Sequence, residues 1–193
     1  MDGPVNSVLN LWDKDENNLD FGFVKNALRC VLHECYPTAE WQPSGVFAEE
    51  SMNYPLSLRV KSAVKICFES IKENILDDFQ VDFPCKHSIT DRSLFDHLLY
   101  FKLVFERQPF YIASFLEFLC RCLGYTMLSY WYGIELAPQI TLHVICIMMR
   151  EMRESGKITE SFWKEFEEFC EIYLQDEERR KLSEPKRRWK KVS

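Results

Sequence analysis

The sequence predicts an all-α fold, a single-domain helical bundle with a buried apolar helix hairpin at its centre. Three observations lead there. Apolar residues recur at three- and four-residue spacing along most of the chain, with no period-2 run competing. Two successive segments, 109–132 and 138–154, are apolar on almost every side for most of their length, the mark of helices that others pack around. Six glycines in 193 residues are too few for turn-rich β architectures, whereas 15 Phe suffice to fill a large core.

The elements follow in order. After an apolar-spaced start (Val5, Val8, Leu9, Trp12), Asp20 can cap a helix with the stripe Val24, Leu28, Val31 and Cys35, which Tyr36-Pro37 stops. Residues 37–55 read as an irregular loop with Trp41 and Phe47 tucked onto the core. A second helix opens at Pro55 and runs to about Phe79 on Val60, Val64, Cys67, Ile71 and Ile75. A connector around Pro84 leads to Ser88 and Asp91, spaced as a capping box, and to a third helix marked by Leu94, Leu98, Phe101 and Phe105. The two apolar segments flank a turn at 133–137 and form an antiparallel hairpin, the first carrying only Glu117 and Arg121 as an i,i+4 pair. Gly156 ends the second. Thr159 opens a last helix on Phe162, Phe166, Phe169 and Tyr173, with Trp163 and Cys170 beside the stripe. The chain thus divides into an N-terminal arm (1–19), a helical domain (20–176) and a basic disordered tail (177–193).

The net charge of −6 conceals two objects. Residues 177–193 carry eight Lys/Arg against three Asp/Glu, a balance of +5, and the rest carries 16 against 27, a balance of −11. Such an acidic body repels nucleic acid and favours a protein partner with Lys or Arg on its polar face. The start of the chain has neither the basic residues nor the apolar run of a secretory leader. Eight Cys without one fit reduced thiols in a cytoplasmic or nuclear setting. Gly133 and Pro138 divide the apolar stretch into halves read as too short to span a bilayer.

No catalytic constellation is present: no phosphate-binding glycine loop, no paired-histidine metalloprotease motif and no nucleophile elbow. His143 lies inside the most apolar helix as a core residue. Cys30, His33 and Cys35, with Cys85 and His87, are ligand types that zinc accepts, but on an α-helix Cys35 lies roughly 140° around from Cys30. No metal and no cofactor are therefore expected, and the cysteines read as small hydrophobes.

The tail holds the sharpest local signal. Lys186, Arg187, Arg188, Lys190 and Lys191, following Pro185, are spaced as a nuclear import signal for an import receptor. Two other readings stand beside it: contact of the basic tail and Trp189 with an anionic membrane surface, and a solubilising terminus.

Two segments carry a family resemblance. In 108–118, Ile112, Phe115, Leu116 and Phe118 resemble the aliphatic-aromatic run after the Asn-Trp-Gly-Arg motif of the Bcl-type apoptosis regulators. In 160–173, Trp163, Phe166 and Tyr173 resemble that family's second homology motif. Helix order over residues 20–175 is similar too, and the small early-region anti-apoptotic proteins of adenoviruses are nearest in size. The family's Gly-Arg pair falls on Phe110-Tyr111, so the guanidinium that meets a ligand's Asp is replaced. The second helix has no Leu-x-x-x-Gly-Asp, which speaks against a killer role. The resemblance implies an anti-apoptotic or host-pathway inhibitor that binds an amphipathic helix. It places a groove between the second and third helices and the start of the fourth, with Leu98, Phe101, Phe105, Tyr111 and Phe115 as lining residues. The alternative is a nuclear adaptor whose domain binds an unrelated protein.

Overall fold

The computed structural model describes residues 18–35, 38, 40–51 and 56–183. Among these residues there are six α-helices and no strand. The apolar-spaced start, the Tyr36-Pro37 stop and Pro55 lie outside the described residues.

Helix α1 (Leu19–Arg29) is capped by Asn18, whose side chain accepts from the Asp20 amide at 2.9 Å. Asp20 is therefore not the cap that its position suggested; it lies inside the helix, buried. The helix continues as a π-helical turn, Cys30–Cys35. The following loop is held by Asn26, whose amide exchanges two hydrogen bonds with the backbone of Ser51 as a neighbouring strand would. Trp41 and Phe47 of that loop are buried edge to face, 5.5 Å apart.

Helix α2 (Leu58–Asp82) starts at Ser57, which accepts from the Val60 amide. Helix α3 (Asp91–Glu106) opens with a reciprocal capping box of Thr90 and Ser93, two residues beyond the expected Ser88 and Asp91. Ser88 instead closes a 3-10 turn onto the Cys85 carbonyl. Helices α4 (Ile112–Trp131) and α5 (Ala137–Glu154) form the expected hairpin. Gly133, at φ 97°, ends α4 in a Schellman motif, with its own amide on Tyr130 and the Ile134 amide on Ser129. Gly156, at φ 71°, closes α5 in the same way on Arg153 and Met152.

The last helix, α6 (Phe162–Ser183), extends past residue 176. It runs on through the first part of the supposed tail, carried by i,i+3 pairs of Asp176 with Arg179 and Glu177 with Arg180. Arg180 and Lys181 in the last turn also suit the negative end of the helix dipole.

Packing runs outward from the hairpin. Helix α4 lies against α2 and α5, α5 carries α1 and α3, and α6 lies chiefly on α2. Val144, Ile145, Met148 and Met149 of α5 have no exposed surface. Helix α4 is long and apolar enough to cross a bilayer by length and composition, which corrects the expectation that each half of the hairpin is too short; 61% of its most apolar window is buried within the fold. At Gly124 of α4 the Ile75 and Phe68 side chains of α2 pack so closely that an added Cβ would stand 2.8 Å from Cγ2 of Ile75.

One polar cluster ties the two ends of the domain together. The Asp20 carboxylate takes two hydrogen bonds from Arg153, at 2.6 and 2.7 Å, and one from the Trp163 indole at 2.7 Å. Arg153 also donates to the Thr159 carbonyl at 2.8 Å, fixing the α5–α6 connection. Phe23 stacks on Trp163 at 3.9 Å immediately beside this cluster.

Three outcomes are expected. Asp20→Ala strands a half-buried guanidinium and an indole N–H and loses about 3–5 kcal/mol in urea denaturation. Gly124→Ala forces the buried Ile75 aside and loses about 1–3 kcal/mol in the same assay. His143, buried on α5 with its ring 6.2 Å from Phe95, has its pKa lowered first by burial and second by Arg150. The unfolded chain therefore binds that proton more readily. This contribution is fully present above the ordinary value of 6.5 and is lost as pH falls through it toward the folded value. Urea midpoints measured between pH 7.5 and pH 5 should fall, and less so in His143→Phe.

Candidate functional site

Helix α3 leans on α5 more than on α4. Lys102, buried on α3, is the tether: it pairs with Glu106 of its own helix at 3.1 Å and with Glu151 of α5 at 2.5 Å. Lys157 adds a bond to the Glu106 carbonyl at 2.8 Å. Between α3 and α4 this leaves a cleft of about 290 Å³.

The cleft has an aromatic wall and a polar side. Tyr100, Phe101, Val104 and Phe105 of α3 face Phe118 of α4, with Phe105 and Phe118 rings 4.8 Å apart and Phe101 edge-on to Tyr125 at 4.7 Å. Gln108, Ser114, Glu117 and Arg121 complete the lining. Arg121 binds Glu117 at 3.2 Å and Asp78 of α2 at 2.7 Å, so its charge is matched within the domain. Tyr100 and, outside the cleft, Leu103 and Tyr111 are 60%, 49% and 63% exposed, large apolar surfaces turned to solvent.

Of the five groove residues expected, Phe101 and Phe105 line the cleft. Leu98 and Phe115 do not; both are fully buried. Leu98 shares the inward face of α3 with Leu94 and Lys102, four residues to either side, and Phe115 points the other way across α4 into Phe162, Trp163 and Phe166, at 5.1, 6.1 and 5.3 Å. Tyr111 is the N-cap residue of α4 and lies outside the cleft lining.

The residues chosen by resemblance divide similarly. Phe118 is in the cleft, Ile112 is half-buried in the first turn of α4, and Leu116 is core. Trp163 and Phe166 are core residues against Phe23, and Tyr173 is half-buried on α6. Lys186, Arg187, Arg188, Lys190 and Lys191 lie outside the described residues.

Tyr100 and Val104 lie off the apolar stripe of Leu94, Leu98, Phe101 and Phe105 that marks this helix in the sequence. The available signal was a second apolar pair, spaced i,i+4, on a helix face that should be polar. Glu117 and Arg121 were legible as a pair but not as part of a cleft, since the sequence does not show how far α3 stands from α4.

The cysteines require a correction. Cys30 and Cys35 are not on diverging faces, because the π-helical turn widens the coil and returns residue i+5 to the face of residue i. Their sulfurs are 3.8 Å apart. Among the described residues, no group of three or more His, Cys, Asp or Glu is placed to hold a metal ion. No family model, curated protein or solved structure matches the chain.

Two substitutions separate core from cleft. Phe115→Ala should cost about 3–5 kcal/mol in chemical denaturation. Tyr100→Ala should stay within about 0.5 kcal/mol of the parent, as expected of a surface change.

Proposed function

We propose that the protein is a non-enzymatic interaction domain that takes the apolar face of an amphipathic partner helix into the cleft between α3 and α4. The supporting observation is the cleft itself, whose apolar wall of Tyr100, Phe101, Val104 and Phe105 meets Phe118 and, among the described residues, is lined only by α3, α4 and the α3–α4 connection. Burying the exposed parts of these side chains against a helix supplies affinity at about 25 cal/mol per Å² of apolar surface. The acidic body, at −11 outside residues 177–193, and Glu117 in the lining favour a partner with Lys or Arg on its polar face.

In its narrower form, the partner is a death-motif helix and the protein an anti-apoptotic or host-pathway inhibitor of Bcl-like architecture. The walls that the third helix and the first half of the fourth give the cleft support this form, as do the residues in 108–118 and 160–173 that resemble the family motifs, although the second helix contributes no lining residue. With Phe110-Tyr111 where the family has Gly-Arg, the one arginine of the cleft is Arg121, already engaged by Glu117 and Asp78. The partner is held chiefly by apolar contact.

Fluorescence-anisotropy titration with a panel of amphipathic peptides, death-motif helices among them, tests both levels. Binding should weaken at least tenfold in Tyr100→Ala and Val104→Glu with the thermal midpoint unchanged. Absence of binding by death-motif peptides up to about 50 μM overturns the narrower form. Binding that survives both substitutions overturns the cleft as the site.

A further inference from the structure

The geometry points to Cys30 and Cys35 as a hydroperoxide-reactive dithiol, with Cys35 the attacking thiol and Cys30 the resolving one. This assignment is independent of the cleft. In an α-helix, residues five apart have Cα atoms about 8.7 Å from each other, beyond disulfide reach. The π-helical turn removes that obstacle and leaves the two sulfurs 3.8 Å apart, hydrogen-bonded to one another. A modest closing movement converts this contact into a covalent bond.

The environments of the two sulfurs differ in the sense that the chemistry needs. Cys30 is buried, whereas Cys35 is half-buried at the open end of the turn. The hydrogen bond from Cys30 foremost, and Lys65 and Lys61 after it, pull the Cys35 thiol down to about 7 against the opposing effects of burial and of the Glu34 carboxylate. A thiol with a pKa near ambient pH combines a large thiolate fraction with retained nucleophilicity. Lys61, in turn, is anchored by Glu34 at 3.1 Å within the same turn.

The reaction balances without a cofactor. The Cys35 thiolate attacks the distal oxygen of a hydroperoxide, the O–O bond breaks, and the leaving alkoxide or hydroxide takes up a proton. This yields Cys35 sulfenic acid. The Cys30 sulfur then displaces the sulfenic hydroxyl group, which leaves as water carrying the Cys30 proton, and the disulfide forms. Two thiols lose two electrons and the peroxide gains them. A dithiol reductant reverses the step.

The other cysteines supply internal comparisons. Cys67 and Cys120 are both buried inside the helix packing, where the Cys120 thiol donates to the Val64 carbonyl at 3.6 Å. Cys85 is exposed on the connector.

Both cysteines lie on one tryptic peptide, residues 30–59. Full-length reduced protein is exposed to sub-stoichiometric hydrogen peroxide, alkylated, digested and mapped by mass spectrometry. Peptide 30–59 should appear short of two hydrogens and unalkylated, forming about tenfold faster than Cys85 oxidises. Dithiothreitol should restore the dialkylated peptide. In Cys30→Ser, Cys35 should be trapped by dimedone as the sulfenic acid, and in Cys35→Ser no oxidation of this peptide should precede that of Cys85. Peptide 30–59 remaining dialkylated while Cys85 oxidises overturns the assignment. The wild-type map decides the question even where a variant fails to fold.

Discussion

The fold hangs on the Asp20 carboxylate. It is buried, and a buried carboxylate is tolerated only when its charge is met and its lone pairs are occupied. Arg153 and Trp163 meet both demands with three hydrogen bonds. They come from the end of α5 and the first turn of α6, while Asp20 comes from the start of α1. One side chain thus sets where three helices converge. The aromatic cluster of Phe23, Phe115, Phe162, Trp163 and Phe166 forms around that point, because the indole is held at a fixed angle.

The same economy shapes the cleft. Lys102 is the buried cation on α3, and its carboxylate partner outside its own helix, Glu151, is on α5. Satisfying that charge draws α3 toward α5, away from α4. Aromatic side chains that would otherwise be sealed between α3 and α4 remain partly open. The cleft is thus the geometric remainder of an electrostatic requirement met on the other side of the helix.

Much of the architecture was legible from the chain. The hairpin was visible because apolar residues on every side of a helix leave no solvent face, and Gly133 and Gly156 marked its ends through their freedom to adopt positive φ. Trp41 and Phe47 were legible as core because large aromatics in a loop gain most by burial. The site was half legible. Phe101 and Phe105 belong to the cleft, but Leu98 and Phe115, at equally plausible stripe positions, turned inward, since periodicity fixes a face and not which neighbour it meets. Asp20 read as a cap because Asp before an apolar stripe usually is one; Arg153 and Trp163, 133 and 143 residues later, explain its burial. The pairing of Cys30 with Cys35 was hidden because a π-helical turn has no reliable sequence signature, and an α-helical count drives the two apart.

The placement of α1 also has a bearing on how the chain is made. The partners of its buried carboxylate are synthesised late: Arg153 is 133 residues downstream of Asp20 and Trp163 is 143. At about 5–20 residues per second, Phe23, Val24 and Leu28 wait roughly 7–30 s for the surfaces that α5 and α6 bring. The hairpin, by contrast, is local in sequence and closes as soon as α5 has emerged. During that interval the first helix is an uncovered apolar strip on a nascent chain, the kind of segment that chaperones retain. Newly made protein should accordingly draw on chaperones far more than mature protein that has been unfolded and allowed to refold with all its helices present.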